Sequence, residues 1–159
     1  MTTILVVCTG NICRSPMAEA LLQARLDRDE ERRGWSVASA GTRAPEDRPS
    51  SAYAVAEMAE RGLDIRAHRS QSVDAELMRT ADLVLVMTRN HAEALSVAFP
   101  TEARKVHLIS EMVGQSYDIC DPYGGSRLEY AYTAQELEEL IDGGYQRIVS
   151  LAEEAPHRP

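Results

Sequence analysis

Ile4-Leu5-Val6-Val7, followed at once by Cys8-Thr9-Gly10-Asn11-Ile12-Cys13-Arg14-Ser15-Pro16, is the stretch that most limits what this chain can become. The four aliphatic residues have the unbroken apolar character of a strand buried on both faces, as in parallel sheets. Ser15 is a preferred helix N-cap and Pro16 suits the first helical position. Met17, Ala20, Leu21, Ala24 and Leu26 then continue with helical spacing. A buried strand is joined to a helix by a short loop that ends at the helix N-terminus.

Such a loop can turn its backbone N–H groups inward, and the helix dipole adds positive potential. Arg14 contributes a planar fork of donors that matches two oxygens of a phosphate. Gly10 and Asn11 are residue types that accept left-handed backbone angles, as a loop curling around an anion requires. Cys8 stands at the rim of this field, which favours a thiolate over a thiol. The stretch reads as a phosphate cradle formed by Thr9, Gly10, Asn11, Ile12, Cys13, Arg14 and Ser15, with Cys8 as nucleophile. The competing reading is a small buried hydrophobe at a strand end.

Apolar runs and helical patterns alternate along the rest of the chain. Strands are expected at 4–8, 36–40, 83–87 and 106–109. Helices are expected at 16–29, 52–61, 75–80, 92–99 and 133–154. Gly34, Gly41, Gly62, Pro100 and Pro122 punctuate them. This alternation predicts an α/β fold with a parallel sheet covered on both faces. Ligands of such sheets bind beyond the C-terminal strand ends, where strand order reverses, and Cys8 is at such an end. With 159 residues, the expectation is one domain over 1–159, its last residues, 155–159, frayed.

The formal net charge of −8 argues against nucleic acid as a main partner. It leaves room for a local electropositive pocket at Arg14. Three cysteines without disulfide spacing fit a reducing compartment. The N-terminus has no basic run, and its apolar stretch is shorter than the ~7–15 residues of a signal peptide core. Nothing approaches the ~18 apolar residues of a membrane span. A cytoplasmic protein without membrane attachment is the expectation.

Cleaving a phosphate ester also needs an acid for the leaving oxygen. The candidate is Asp121, in Asp118-Ile119-Cys120-Asp121-Pro122-Tyr123-Gly124-Gly125, a segment of loop formers after the last strand. Its competing role is an Asx-turn, common in Asp-Pro loops.

Cys8–Ser15 together with Asp121-Pro122-Tyr123 resembles the low-molecular-weight protein tyrosine phosphatases. The resemblance extends through Ser39-Ala40-Gly41-Thr42, His68-Arg69-Ser70, Ala81 to Thr88, and Gly124-Gly125-Ser126 with the acidic last helix. It implies a flavodoxin-like three-layer αβα fold with a four-stranded parallel sheet. It assigns Cys8 as nucleophile, Arg14 as phosphate clamp, and Asp121 as general acid and then base, with no metal and no cofactor. Asn11, Ser15, Ser39 and His68 are implied as the network that supports the loop. The partner implied is a phosphorylated protein. Ile12 and Tyr123 form an apolar wall that suits the ring of phosphotyrosine. The alternative substrate is phosphoarginine: the bacterial arginine phosphatases resemble this chain around Gly124-Gly125-Ser126 but usually carry threonine where this chain has Ile12. Cys13 is a possible redox partner of Cys8, and Cys120 a weaker one.

An arsenate reductase of the same fold needs further cysteines to relay a disulfide, and none lies between Cys13 and Cys120. A non-catalytic anion-binding module would be marked by loss of Cys8, Arg14 or Asp121, and all three are present.

Overall fold

The computed structural model describes residues 1–155, and its centre is β1 (Thr3–Cys8). β2 (Ser36–Gly41) pairs with one edge of β1, and β3 (Leu83–Val86) with the other. β4 (Val106–Leu108) closes the far side. The order is β2-β1-β3-β4, with every pair parallel. The chain leaves β1 in one direction and returns on its other side, so the switch point lies between β1 and β3. This is the flavodoxin-like arrangement.

Alternation along the central strands divides the core in two. Ile4, Val6, Cys8, Leu83, Leu85 and Met87 face α1 (Arg14–Asp27) and α5 (Arg127–Glu153). Leu5, Val7, Val84 and Val86 face the other way, against Met78 of α3 (Ala75–Thr80) and Leu95 of α4 (Arg89–Ala98). α2 (Ala52–Glu60) joins α1 and α5 on the first face through Ala54 and Met58. Both sheet faces are covered, which is why β1 reads as a continuous apolar run.

The elements stand where the sequence places them, but several ends move. α1 begins at Arg14, so Ser15 and Pro16 lie inside its first turn rather than at cap and first position. Cys13 occupies the cap site and supplies no side-chain cap hydrogen bond. The Ser15 hydroxyl is committed instead to Cys8 and Asn11. α5 begins six residues before the expected 133, at Arg127, because Ser126 and Glu129 form a reciprocal capping box. α4 likewise begins at Arg89, behind a Thr88 cap. β4 stops at Leu108 because 109–113 winds into a 3-10 turn. Of the tail expected to fray, Ala155 alone is among the described residues. Among these residues no helix is long and apolar enough to cross a membrane.

Candidate active site

Cys8 ends β1, and 9–13 curls from it into α1. The outer side of this curl is held by the scaffold through carbonyl oxygens. Cys8 O accepts from Thr42 N–H at 2.9 Å, Thr9 O from Arg43 N–H at 3.0 Å, and Ile12 O from Ser51 N–H at 2.9 Å. Asn11 O accepts from His68 Nε2 at 2.7 Å. In a trans peptide the following N–H points opposite to the carbonyl. The N–H groups of Thr9, Gly10, Ile12 and Cys13 therefore face the inside of the curl. Within the curl, Asn11 is the residue with a left-handed angle, φ 56°. Gly10 was expected to share that role, but its φ is not positive.

Inside the curl lies the Cys8 thiol group. Its Sγ accepts from Asn11 N–H at 3.3 Å and lies 3.0 Å from Ser15 Oγ. Asn11 Nδ2 donates to both Ser15 Oγ, at 2.8 Å, and Ser39 Oγ, at 2.9 Å. Ser15, having accepted from Asn11, has its own proton left for the sulfur. Asn11 Oδ1 accepts from Gln71 N–H at 3.0 Å, which fixes the amide. The four residues expected to support the loop, Asn11, Ser15, Ser39 and His68, are thus brought into one network.

That network reaches farther than the sequence reading. Ser39 Oγ donates to Glu19 Oε2 at 2.6 Å. Burial raises the Glu19 carboxyl, while Ser39 and His68 act against that rise. Glu19 sits on α1 among residues of ordinary helical pattern, so only the folded geometry exposes its role.

Arg14 is 4% exposed. Its Nη1 donates to Ile119 O at 2.8 Å, and Nη2 lies 3.4 Å from Asp121 Oδ2 and 3.5 Å from Thr9 Oγ1. Its Nε is buried and makes no hydrogen bond. A buried guanidinium donor left unmatched is costly, and an oxyanion is the group that relieves it. Asp121 also accepts Tyr123 N–H on Oδ1 at 3.1 Å, so the Asx-turn forms while Oδ2 stays turned to Arg14. Asp118 points elsewhere: its Oδ1 accepts Arg89 N–H at 2.9 Å, at the start of α4.

Thr9 brings in a second residue that the sequence reading passed over. His91 Nε2 lies 2.8 Å from Thr9 Oγ1, and His91 Nδ1 accepts Thr88 N–H at 3.2 Å. The imidazole pKa is lowered to about 4, first by burial and then by Arg14. His91 is therefore neutral near pH 7, with its ring proton on Nε2. A threonine followed three residues later by glutamate or glutamine announces a capping box; with histidine there the signal is easily missed.

Cys13 turns to the other side. Its Sγ lies 3.2 Å from Tyr130 Oη and 3.4 Å from Ser51 Oγ. Burial pushes its thiol up, so it is protonated at neutral pH. Cys120 is exposed.

Above the cradle opens a pocket of about 260 Å³, lined by Cys8, Thr9, Gly10, Ile12, Cys13, Arg14, Pro45, Asp121 and Tyr123. Ile12, Pro45 and Tyr123 form its apolar rim, and Pro45 was not foreseen. A sulfur at the floor, inward N–H groups, a buried arginine and a carboxylate at the mouth define an anion-binding site built for nucleophilic displacement at phosphorus. The sequence model described as low molecular weight phosphotyrosine protein phosphatase matches residues 3–154. The chain belongs to that family, whose members hydrolyse phosphoric monoesters.

Relatives within it include the probable low molecular weight protein-tyrosine-phosphatase EpsP of Ralstonia nicotianae, 38% identical over 94% of this chain and 97% of that protein. The protein-arginine-phosphatase of Bacillus subtilis is 41% identical over 87% of this chain and 91% of that protein. A solved structure of the YwlE arginine phosphatase, a cysteine-to-serine variant with a phosphorylated active-site serine, superposes with a TM-score of 0.86 at 37% identity. It covers 94% of this chain and 96% of that one.

Proposed function

We propose that this chain is a protein tyrosine phosphatase that works through a cysteinyl-phosphate. The observation that carries the reading is the position of Cys8 Sγ. It is held by Asn11 N–H and Ser15 Oγ on the floor of a pocket whose walls are Arg14 and Asp121. The thiolate attacks phosphorus in line with the tyrosyl oxygen. Inward N–H groups and Arg14 hold the equatorial oxygens as their charge grows. Asp121 gives its proton to the departing phenoxide. It then takes one from the water that attacks the cysteinyl-phosphate, releasing inorganic phosphate and the thiolate. The phosphorylated serine in the YwlE variant supports the assignment of Cys8 as the attacking residue.

The apolar rim of Ile12, Pro45 and Tyr123 supports an aromatic substrate over a guanidinium, which would lose water against it without a matching acceptor. The 41% identity to a protein-arginine-phosphatase keeps phosphoarginine as the second reading.

Cys8→Ser is expected to abolish turnover of aryl phosphates while retaining phosphate binding, since the cradle is largely backbone. Asp121→Asn is expected to slow poor leaving groups by ~10²–10⁴-fold and good ones far less. Asp118→Asn, whose oxygen still serves Arg89, should show no such dependence. Residual turnover in Cys8→Ser, or a leaving-group effect in Asp118→Asn alone, would overturn the assignment.

A further inference from the structure

Arg14 faces a conflict that its neighbours must resolve. A clamp for a phosphate dianion has to be held in one orientation before the anion arrives, or ordering it costs binding energy. Holding it with carboxylates alone would cancel the charge that the anion needs, and Asp121 Oδ2 already lies 3.4 Å from Nη2. Ile119 O on Nη1 and Thr9 Oγ1 on Nη2 are the uncharged acceptors that complete its hold beside Asp121. Thr9 is free to rotate unless something fixes it, and the group in contact with it is His91.

We propose that His91 is a positioning residue for the phosphatase site, acting through Thr9 on the Arg14 guanidinium. The inference rests on the phosphatase reading above. Thr88 N–H occupies His91 Nδ1, so Nε2 carries the ring proton and donates to Thr9 Oγ1 at 2.8 Å. Thr9 Oγ1 accepts that bond and the one from Arg14 Nη2. With both lone pairs used, its own O–H direction is set as well, on the side of the pocket that Thr9 lines. A neutral imidazole suits this task, because a cation here would repel Arg14. His91 is 4% exposed, so water does not compete for Nε2. The same ring caps α4 through its other nitrogen, and the segment that follows β3 is thereby tied to the cradle that follows β1.

Three variants separate this role from simple capping. Thr9→Val removes the acceptor and leaves the α4 cap intact. His91→Leu removes both ring nitrogens. His91→Gln can serve Thr88 N–H with its carbonyl and Thr9 Oγ1 with its amide. Measured on p-nitrophenyl phosphate, Thr9→Val and His91→Leu are each expected to lower kcat/KM about tenfold and to weaken inhibition by inorganic phosphate by a similar factor, the order expected for one hydrogen bond to a charged network. The double variant should be no worse than the poorer single one, and His91→Gln should recover most of the loss. His91→Leu alone should also lower Tm. If His91→Leu lowers Tm but leaves kcat/KM and phosphate inhibition within twofold, or if the two losses multiply, the proposal is wrong. If His91→Leu fails to fold, Thr9→Val and His91→Gln still decide it: a Thr9→Val enzyme with unchanged phosphate inhibition overturns it. Failure of the underlying phosphatase reading would look different, since the unmodified protein would then not turn over the ester at all.

Discussion

At the scale of single residues, Ile12 is the position expected to discriminate between phosphorylated side chains. It packs partly against the core and partly lines the pocket, beside Pro45 and Tyr123. Ile12→Thr shortens that wall and adds a hydroxyl. The ratio of kcat/KM for phosphotyrosine peptides to that for phosphoarginine peptides is expected to fall by about 10–200-fold, the range of one side chain in a pocket. An unchanged ratio would show that Ile12 does not meet the substrate. Residue types made much of this site readable: a thiol, a guanidinium and a carboxylate are few in kind and their chemistry is specific. Glu19 and His91 were not readable, because each acts through a partner distant in sequence, Ser39 and Thr9 respectively.

Among the elements, two are tied down by polar contacts that bear on the site. The α4 N-terminus depends on neutral His91, whose pKa falls from 6.5 to about 4 on folding. Between these values the unfolded chain binds a proton that the folded one refuses. Stability from this group is thus full above pH 6.5 and is lost as pH falls toward 4, by up to ~1.4 kcal/mol per pH unit. Urea unfolding across that window should be steeper in pH for the unmodified protein than for His91→Gln.

The start of α5, which carries the end of the Asp121 loop, is clamped to α2. Arg127 Nε donates to Glu57 Oε1 at 2.9 Å, and Arg61 Nη1 to Glu57 Oε2 at 3.0 Å. Burial raises the Glu57 carboxyl, but the bonds from Arg127 and Arg61 outweigh this and hold it below the usual range. Glu57→Gln removes the charge that the two arginines share, leaving Arg127 with Glu60 and Arg61 with Glu138. It should lower stability in urea unfolding by less than the ~3–5 kcal/mol of a fully buried pair, because Arg127 is partly exposed and both arginines keep a carboxylate.

Across the whole molecule, α5 closes the first face of the sheet by lying close on the 109–113 turn. A methyl group on Gly144 would stand 2.5 Å from Met112 Cβ and 3.0 Å from its carbonyl carbon. Gly144→Ala is therefore expected to destabilise by about 1–3 kcal/mol despite the better helix propensity of alanine. Gly143→Ala meets Val113 Cγ1 at 3.4 Å and should instead gain up to ~1 kcal/mol. Thermal melts of the pair test whether the packing, rather than the helix itself, sets the requirement. Adjacent glycines look alike in sequence; the helix face decides between them.

The sequence by itself determined the fold class, because buried parallel strands and amphipathic helices have different hydrophobic periods and they alternate here. It also determined the cradle, since Cys8 through Arg14 is local: the residues that curl around the anion are consecutive, and backbone geometry joins them. The tertiary structure decided which long-range partners hold that cradle. Asn11 meets Ser39 and Gln71, Arg14 meets Asp121, Thr9 meets His91, and Cys13 meets Tyr130. These pairs have no common spacing in the chain. They meet because the order β2-β1-β3-β4, parallel throughout, places the C-terminal ends of all four strands along one edge, and only the packed sheet brings the segments that follow them together.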